Sequence, residues 1–404
     1  MIGVALLWPW NCYLSASAYY GDRFSDTPGL SKAFSSTFMS VSTITTMLFS
    51  YYLSQKQEGV NYHKRIFVGM VVTVAIFAFL ALTCFAEFFI FMKDYTFFAL
   101  LMLTVLLSAM ASSLAQNGAL ASANVLGSIY TNGVMVGQAI AGALPPLALI
   151  CSILLTGKDK LEETHPHKSR NAGLTLYFLS ACLVAFLAVF MLGLANRYKN
   201  AYAYVAVEEG EEEAPINITP KKHVPFGLLW QKLKLIVMTI FLTFCITLVF
   251  PVFASTVTSV RENSENLFFK KSIYIPVVFL IWNIGDLAGR VLCGMANSAF
   301  LVKDPNRLIV YAVARVVFIP LFLTCNIHPG SSTPLISSDS WYILLQFLFG
   351  LSNGQLCTSC FMVIGDNCST DEEKEAAGGF ATVFLTFGLA VGSVLSYPLI
   401  PIVG

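Results

Sequence analysis

The chain has 404 residues, of which 56% are hydrophobic, 13% aromatic and only 12% charged, with a mean hydropathy of +0.71. Soluble domains carry about 25% charged residues, so a water-facing globule is excluded and a lipid-facing surface is expected. The net charge of +1, with no basic stripe, excludes a nucleic-acid partner.

A helix that crosses about 30 Å of hydrocarbon needs about 20 mainly apolar residues. In chain order, the runs at residues 1–20, 33–53, 66–90, 97–127, 131–156 and 172–195 meet that need. So do those at 235–257, 273–296, 307–326, 341–365 and 376–404. The expectation is an all-α integral membrane protein with eleven transmembrane helices. The first run opens without a basic segment or a small-residue cleavage site, so no removable signal peptide is expected. Between the sixth and seventh runs lies the long hydrophilic stretch, Glu208-Glu-Gly-Glu-Glu-Glu213 and then Lys221-Lys222-His223. Such a charge block reads as a solvated linker. It divides the chain into a first bundle (residues 1–196), a cytosolic linker (197–234) and a second bundle (235–404), in a 6+5 arrangement. With the amino terminus inside, the inner loops hold twelve Lys/Arg and the outer loops ten; Arg290 and Arg315, within spans, complete the twenty-four. That bias barely orients the chain.

Several spans carry bends, small residues or polar groups. Proline at Pro9-Trp10-Asn11 bends the first span and exposes backbone groups, and Phe250-Pro251 does the same in the seventh. Gln116 sits in the middle of the fourth span. Gly133, Gly137 and Ala141, like Gly388 and Gly392, recur every four residues, a spacing that lets helix backbones approach in lipid. The ten cysteines are scattered, mostly in apolar runs, and read as small packing residues. Cys357-x-x-Cys360 lacks the second pair of ligands that a metal site needs, and no cofactor is expected.

The most informative stretch is Phe279-Leu-Ile-Trp-Asn283-Ile-Gly-Asp286-Leu-Ala-Gly-Arg290 in the eighth span. At about 100° per residue, Phe279, Asn283, Asp286 and Arg290 fall within an arc of about 60°. Ile281, Ile284, Leu287 and Val291 take the other faces. Each unpaired charge at the bilayer centre costs about 2.5–3.5 kcal/mol on insertion scales, and i,i+4 spacing lets the two neutralise each other. One reading is a structural ion pair that locks the bundles. The reading favoured by Asn283 and Phe279 on the same stripe is a solute site. A third, the D-R-x-G-R loop motif of major facilitator carriers, is opposed by the apolar run Val291-Leu-Cys-Gly-Met-Ala296 that follows.

At these residues a resemblance becomes specific. Pro9-Trp10-Asn11, Phe250-Pro251, Asn283-x-x-Asp286-x-x-x-Arg290, Ala314-Arg315-x-x-Phe318-x-Pro320, Ser352-Asn353-Gly354 and Ala376-Ala-Gly-Gly-Phe380 with Gly388-Leu-Ala-Val-Gly392 occur in one order along nearly the whole chain. The pattern resembles the equilibrative nucleoside transporter family. Leu6-Leu-Trp-Pro-Trp-Asn-Cys12, Gly133-Val-Met-Val-Gly-Gln-Ala139 and Asp371-Glu-Glu-Lys-Glu-Ala-Ala-Gly-Gly-Phe380 are similar to its fungal intracellular branch. The resemblance implies a major-facilitator-like fold of two bundles and facilitated movement of nucleosides, or nucleobases, by alternating access. Carried over by position, it implies a central site of Leu7, Trp10, Gln116, Phe279, Asn283, Asp286 and Arg290. Leu14, Phe250, Pro251 and Leu389 would form its outer wall, and Arg65 and Glu375 an inner gate. Thr43 and Ser112 depart from the family's methionine and glycine at the matching positions. The expected partners are purine and pyrimidine nucleosides and the lipid bilayer, the expected state is a monomer, and the expected membrane is vacuolar or lysosome-like, with the plasma membrane as the alternative.

An enzyme is not expected, for want of an HExxH, a P-loop or a paired Asp-rich metal motif. The rival is a proton-linked major facilitator carrier of a sugar or peptide. His63, His165, His167, His223 and His328 all fall in expected loops, and Asp286 is tied to an arginine, so a uniporter is the simpler expectation. Asn217-Ile-Thr219 and Asn367-Cys-Ser369 match the glycosylation pattern, but both fall in loops expected in the cytosol and should stay unmodified.

Overall fold

The computed structural model describes residues 1–156, 172–208, 223–262, 264–296, 298–327, 334–396 and 398. Within them the regular structure is helical throughout. Hydrocarbon offers no partner to a free N–H or C=O, so a spanning segment must satisfy its backbone internally, and a helix does so within itself. Eleven long helices carry the labels used below. They are α1 (Ile2–Ser15), α2 (Pro28–Gln55), α3 (Tyr62–Thr83), α4 (Asp94–Leu126), α5 (Ser128–Thr156), α6 (Ala172–Glu208), α7 (Phe226–Thr247), α8 (Lys271–Gly294), α9 (Pro305–Ala314), α10 (Asp339–Ile364) and α11 (Asp371–Ser396). Short pieces extend three of them: Ser17–Arg23 after α1, Val249–Thr256 after α7, and Phe318–Phe322 after α9.

Nine of these helical units are long and apolar enough to cross a membrane, among the described residues. The two outside that count are α1 and α2. The 14 residues of α1 rise only about 21 Å, and reach membrane length together with Ser17–Arg23. The 28 residues of α2 carry many Ser and Thr. Eleven crossings are consistent with this arrangement. Leu103, Leu107, Leu183, Phe186 and Phe190 stay exposed, as expected of side chains whose solvent is lipid.

Local chemistry sets the boundaries. Pro28 and Pro305 open α2 and α9, where a missing N–H costs nothing. Asn61, Asp304 and Ser338 cap α3, α9 and α10 through side-chain oxygens. A single residue, Gly127 at φ +119°, turns the chain from α4 to α5, a conformation that a residue with a Cβ rarely adopts. The bend expected at Phe250-Pro251 is present: α7 stops at Thr247 and resumes at Val249. Around the expected linker, α6 is helical to Glu208 and α7 starts at Phe226. Most of the acidic block, Lys221, Lys222, Asn217, His165, His167 and His328 lie outside the described residues. His63, expected in a loop, is in the first turn of α3.

In the first half, α3 packs on α4 and α6, and α1 on α5. In the second, α8 packs on α10, and α7 on α11 and α9. The halves meet through α5 against α8 and α10, and through α11 against α2 and α4. We call the side where the chain leaves α6 and enters α7 the linker end, and the opposite side the far end.

Candidate functional site

The stripe on α8 is split between two environments. Its lower part is buried: Asp286 is 3% and Arg290 7% exposed. Arg290 donates from Nε to Asp286 Oδ2 at 2.8 Å and from Nη1 to the Met135 carbonyl on α5 at 3.0 Å. Asn353 on α10 donates to the other carboxylate oxygen at 2.6 Å. Asn132 on α5 donates to the Arg290 carbonyl at 2.7 Å. The upper part, Phe279 and Asn283, is half-buried. Asn283 donates to the Phe279 carbonyl at 2.8 Å, and its oxygen lies against Gly142 of α5.

The ion pair belongs to a larger network that the sequence reading did not assemble. Thr247 donates to Asn353 Oδ1 at 2.6 Å. Arg315, 1% exposed, reaches Thr247 Oγ1 at 3.4 Å, the Thr243 carbonyl at 3.0 Å and Ser352 Oγ at 3.0 Å, and covers the Phe349 ring at 4.6 Å. A chain of donors and acceptors thus runs from Met135 through Arg290, Asp286, Asn353 and Thr247 to Arg315. Asp286 is the one carboxylate on that chain, against two guanidinium groups. Such a network tolerates burial only because each member is satisfied.

The close approach of α8 and α10 makes the network feasible. A Cβ on Gly285 or Gly289 would strike the carbonyls of Phe347 or Leu351, and one on Gly350 or Gly354 those of Trp282 or Asp286. Gly285-x-x-x-Gly289 and Gly350-x-x-x-Gly354 therefore interlock. That spacing is visible in the sequence, and it was the signal available for pairing α8 with α10. Gly350-Leu-Ser352-Asn-Gly354 also spells the G-x-S-x-G of serine hydrolases. Here it lies inside a helix, and Ser352 Oγ is held between Arg315 and the Phe349 carbonyl. It is a packing motif.

The remaining expected site residues fall in two groups. On the second half, Phe250 stacks on Trp282 (centroids 4.5 Å, 19°) and meets Phe279 edge-on (5.0 Å, 69°). Pro251 is exposed and Leu389 half-buried. On the first half, Trp10 stacks on Phe38 (5.1 Å, 13°), Leu7 and Gln116 are half-buried, and Leu14 is exposed. Trp10 and Phe279 belong to separate apolar clusters, one in each half. Asn11, beside Trp10, is taken by packing: it donates to Ala141 O at 2.7 Å, a carbonyl whose helical donor is lost because residue 145 is proline. The expected gate residue Arg65 reaches the carbonyls of Leu53 and Lys56 and the side chain of Asn117. Glu373 of α11 lies 2.7 Å from Lys232 of α7, a pair that the sequence reading missed. Surface grooves of about 450 Å³ lie between α2 and α4 and beside Lys303 and Arg307, and none of the expected site residues lines either.

The helices form two bundles with a charged network where they meet, and that fold is shared with solved major facilitator proteins. The chain superposes on the proton:xylose symporter XylE with a TM-score of 0.63 at 12% identity, covering 97% of this chain and 84% of that one. On the major facilitator transporter FucP the TM-score is 0.51 at 12% identity, with 100% and 91% covered.

More particularly, the chain belongs to the nucleoside transporter family, whose model matches residues 101–400. It is 36% identical to the nucleoside transporter FUN26 of Saccharomyces cerevisiae over 98% of this chain and 82% of that protein. It is 26% identical to human equilibrative nucleoside transporter 1, over 98% and 94%. The protein is thus a multi-pass membrane transporter and not an enzyme, as its sequence implied.

Proposed function

We propose that the protein carries purine and pyrimidine nucleosides by alternating access, as facilitated diffusion, between a first bundle of residues 1–196 and a second of 235–404 joined by a cytosolic linker. The observation that carries this reading is a carboxylate and a guanidinium held deep among apolar helices, with half-buried Asn283 and Phe279 above them on the same face of α8. A carboxylate accepts from ribose hydroxyls, and a guanidinium donates to a hydroxyl or a base acceptor. Trp10 and Phe279 offer faces for the base, and Leu7 and Gln116 complete the contacts. Leu14, Phe250, Pro251 and Leu389 wall the approach, and Arg65 and Glu375 belong to the inner gate. Both oxygens of Asp286 are engaged here, so the solute first meets Phe279 and Asn283 and reaches the ion pair as the helices rearrange. The names of the yeast and human relatives support the substrate class. The protein acts as a monomer in a vacuolar or lysosome-like membrane.

The test is uptake into liposomes that contain the purified protein. Labelled uridine should be displaced by adenosine and left untouched by glucose or a dipeptide. The opposite order would favour the sugar or peptide carrier, and a flux that follows an imposed pH gradient would overturn facilitated diffusion.

A further inference from the structure

At the linker end, the turn from α8 to α9 borders a groove of about 450 Å³ whose lining includes Lys303, Asp304, Arg307 and Tyr311. The turn is pinned to α10. Gln355 donates to the Phe300 carbonyl at 2.8 Å, and Val302 N donates to Ser359 Oγ at 3.3 Å. Tyr311 donates from its hydroxyl to Gln355 Oε1 at 3.0 Å, which fixes its ring in the groove wall. A site held in this way is formed before a ligand arrives, so binding loses little freedom.

The groove carries more positive than negative charge. Lys303 and Arg307 stand against one carboxylate, Asp304, and its Oδ1 is taken up in capping α9 through Asn306 N at 3.0 Å. Arg307 Nε lies 3.7 Å from Asp304 Oδ2, with the arginine side chain 84% exposed. A surface pair of that kind is weak, and a guanidinium fork has further donors for a phosphate.

An apolar strip continues from the groove. Arg307, Val310, Val313 and Ala314 share one face of α9, within an arc of about 120°. Val310 is 67% and Val313 55% exposed, and Val317 beyond them is exposed as well. From Arg307 to Val317 a helix rises about 15 Å, the depth of one leaflet in a hydrocarbon core about 30 Å thick. Cations at the head of an uncovered apolar strip of that length suit an amphiphile better than a free anion.

We propose that this groove binds an anionic phospholipid, with its phosphate on Lys303 and Arg307 and an acyl chain along Val310, Val313 and Val317. The site is separate from the stripe on α8 and goes beyond the transport reading. With the linker in the cytosol, this end meets the leaflet that is richer in anionic lipid.

The test reads lipid contact at one position and needs no solute, so its outcome is independent of the uptake panel. A benzophenone amino acid at Val310 captures neighbouring lipid in vesicles of equal phosphatidylcholine and phosphatidylserine, and mass spectrometry identifies the adducts. Phosphatidylserine should be captured about 5- to 30-fold over phosphatidylcholine, the weight of one to two cations at an anionic surface. Lys303→Gln with Arg307→Gln should bring the ratio to about one, and Lys303→Gln alone should lower it part of the way. A ratio unchanged in the double variant would overturn the site. So would an equal preference at Leu183 on the lipid-facing side of α6, which would mean a general lipid annulus. Loss of the preference on adding glycerophosphoserine, which has no acyl chain, would make it a site for a free anion. Capture of the chain's own acidic segment, Glu208 to Glu213, in place of lipid would overturn it too.

Discussion

Glycines serve two kinds of contact in this molecule. Within each half they bring backbone against backbone: Gly285, Gly289, Gly350 and Gly354 between α8 and α10, Gly388 and Gly392 of α11 against Phe241 and Cys245 of α7, and Gly69 and Gly118 between α3 and α4. Between the halves the glycine partners include side-chain amides: Gly142 faces Asn283, Gly294 faces Asn132, Gly379 faces Asn117, and Gly378 faces Asn124 as well as the α4 backbone. Backbone contact maximises packing, the main force between helices when lipid removes the hydrophobic drive. A side-chain amide can turn away and find water. The first kind of contact makes rigid pairs and the second makes separable surfaces, which is the division that a carrier of two moving halves requires.

The largest blow to this scheme is Asp286→Ala. It strips Arg290 of its carboxylate and Asn353 of its acceptor, and breaking a buried pair costs about 3–5 kcal/mol. Melting in detergent should fall accordingly and uptake should vanish; normal flux in a correctly inserted variant would remove the pair from the site. Next comes Gly354→Ala, where a methyl meets the Asp286 carbonyl. Overpacking of this kind costs about 1–3 kcal/mol. It should lower thermal stability without shifting the access equilibrium, and a shift would mean that α8 and α10 slide past each other. Gln57→Ala removes the bonds from Gln57 to Val224 and should cost about 1 kcal/mol, a smaller fall in melting than Gly354→Ala gives. Smallest is Lys374→Ala. Its side chain meets Asp371 at 3.0 Å on the surface and its carbonyl remains for Asn124, so stability should move by less than about 0.5 kcal/mol and uptake should be unaltered.

Much of the fold was legible in the chain. Long apolar runs mark the helices because a bilayer permits few alternatives, and Pro9, Pro145 and Pro251 mark places where a carbonyl loses its donor. The Asp286–Arg290 pair could be read directly, since a four-residue separation on a helix fixes the two side chains as neighbours. The site was less legible. Asn353 was visible as part of a family pattern, yet nothing near it in sequence says that it binds Asp286, 67 residues away. Arg315 was counted within a span, but its place at the end of the same network depends on how the bend near Thr247 and the face of α10 converge on it. The resemblance paired Arg65 with Glu375, and the bonds Arg65 makes to the Leu53 and Lys56 carbonyls and to Asn117 had no mark in the sequence.

The sequence alone determined a helical membrane protein, its approximate spans, its family and the charged stripe on α8. All of these follow from rules that act over a few turns of helix or from likeness to relatives along the chain. Only the tertiary structure decided which glycine meets which helix, and that the ion pair is sealed by Asn353 and Met135. Those outcomes depend on how each helix is rotated about its own axis against a distant neighbour, and a one-residue change in that rotation, about 100°, carries no mark in the local order of residues.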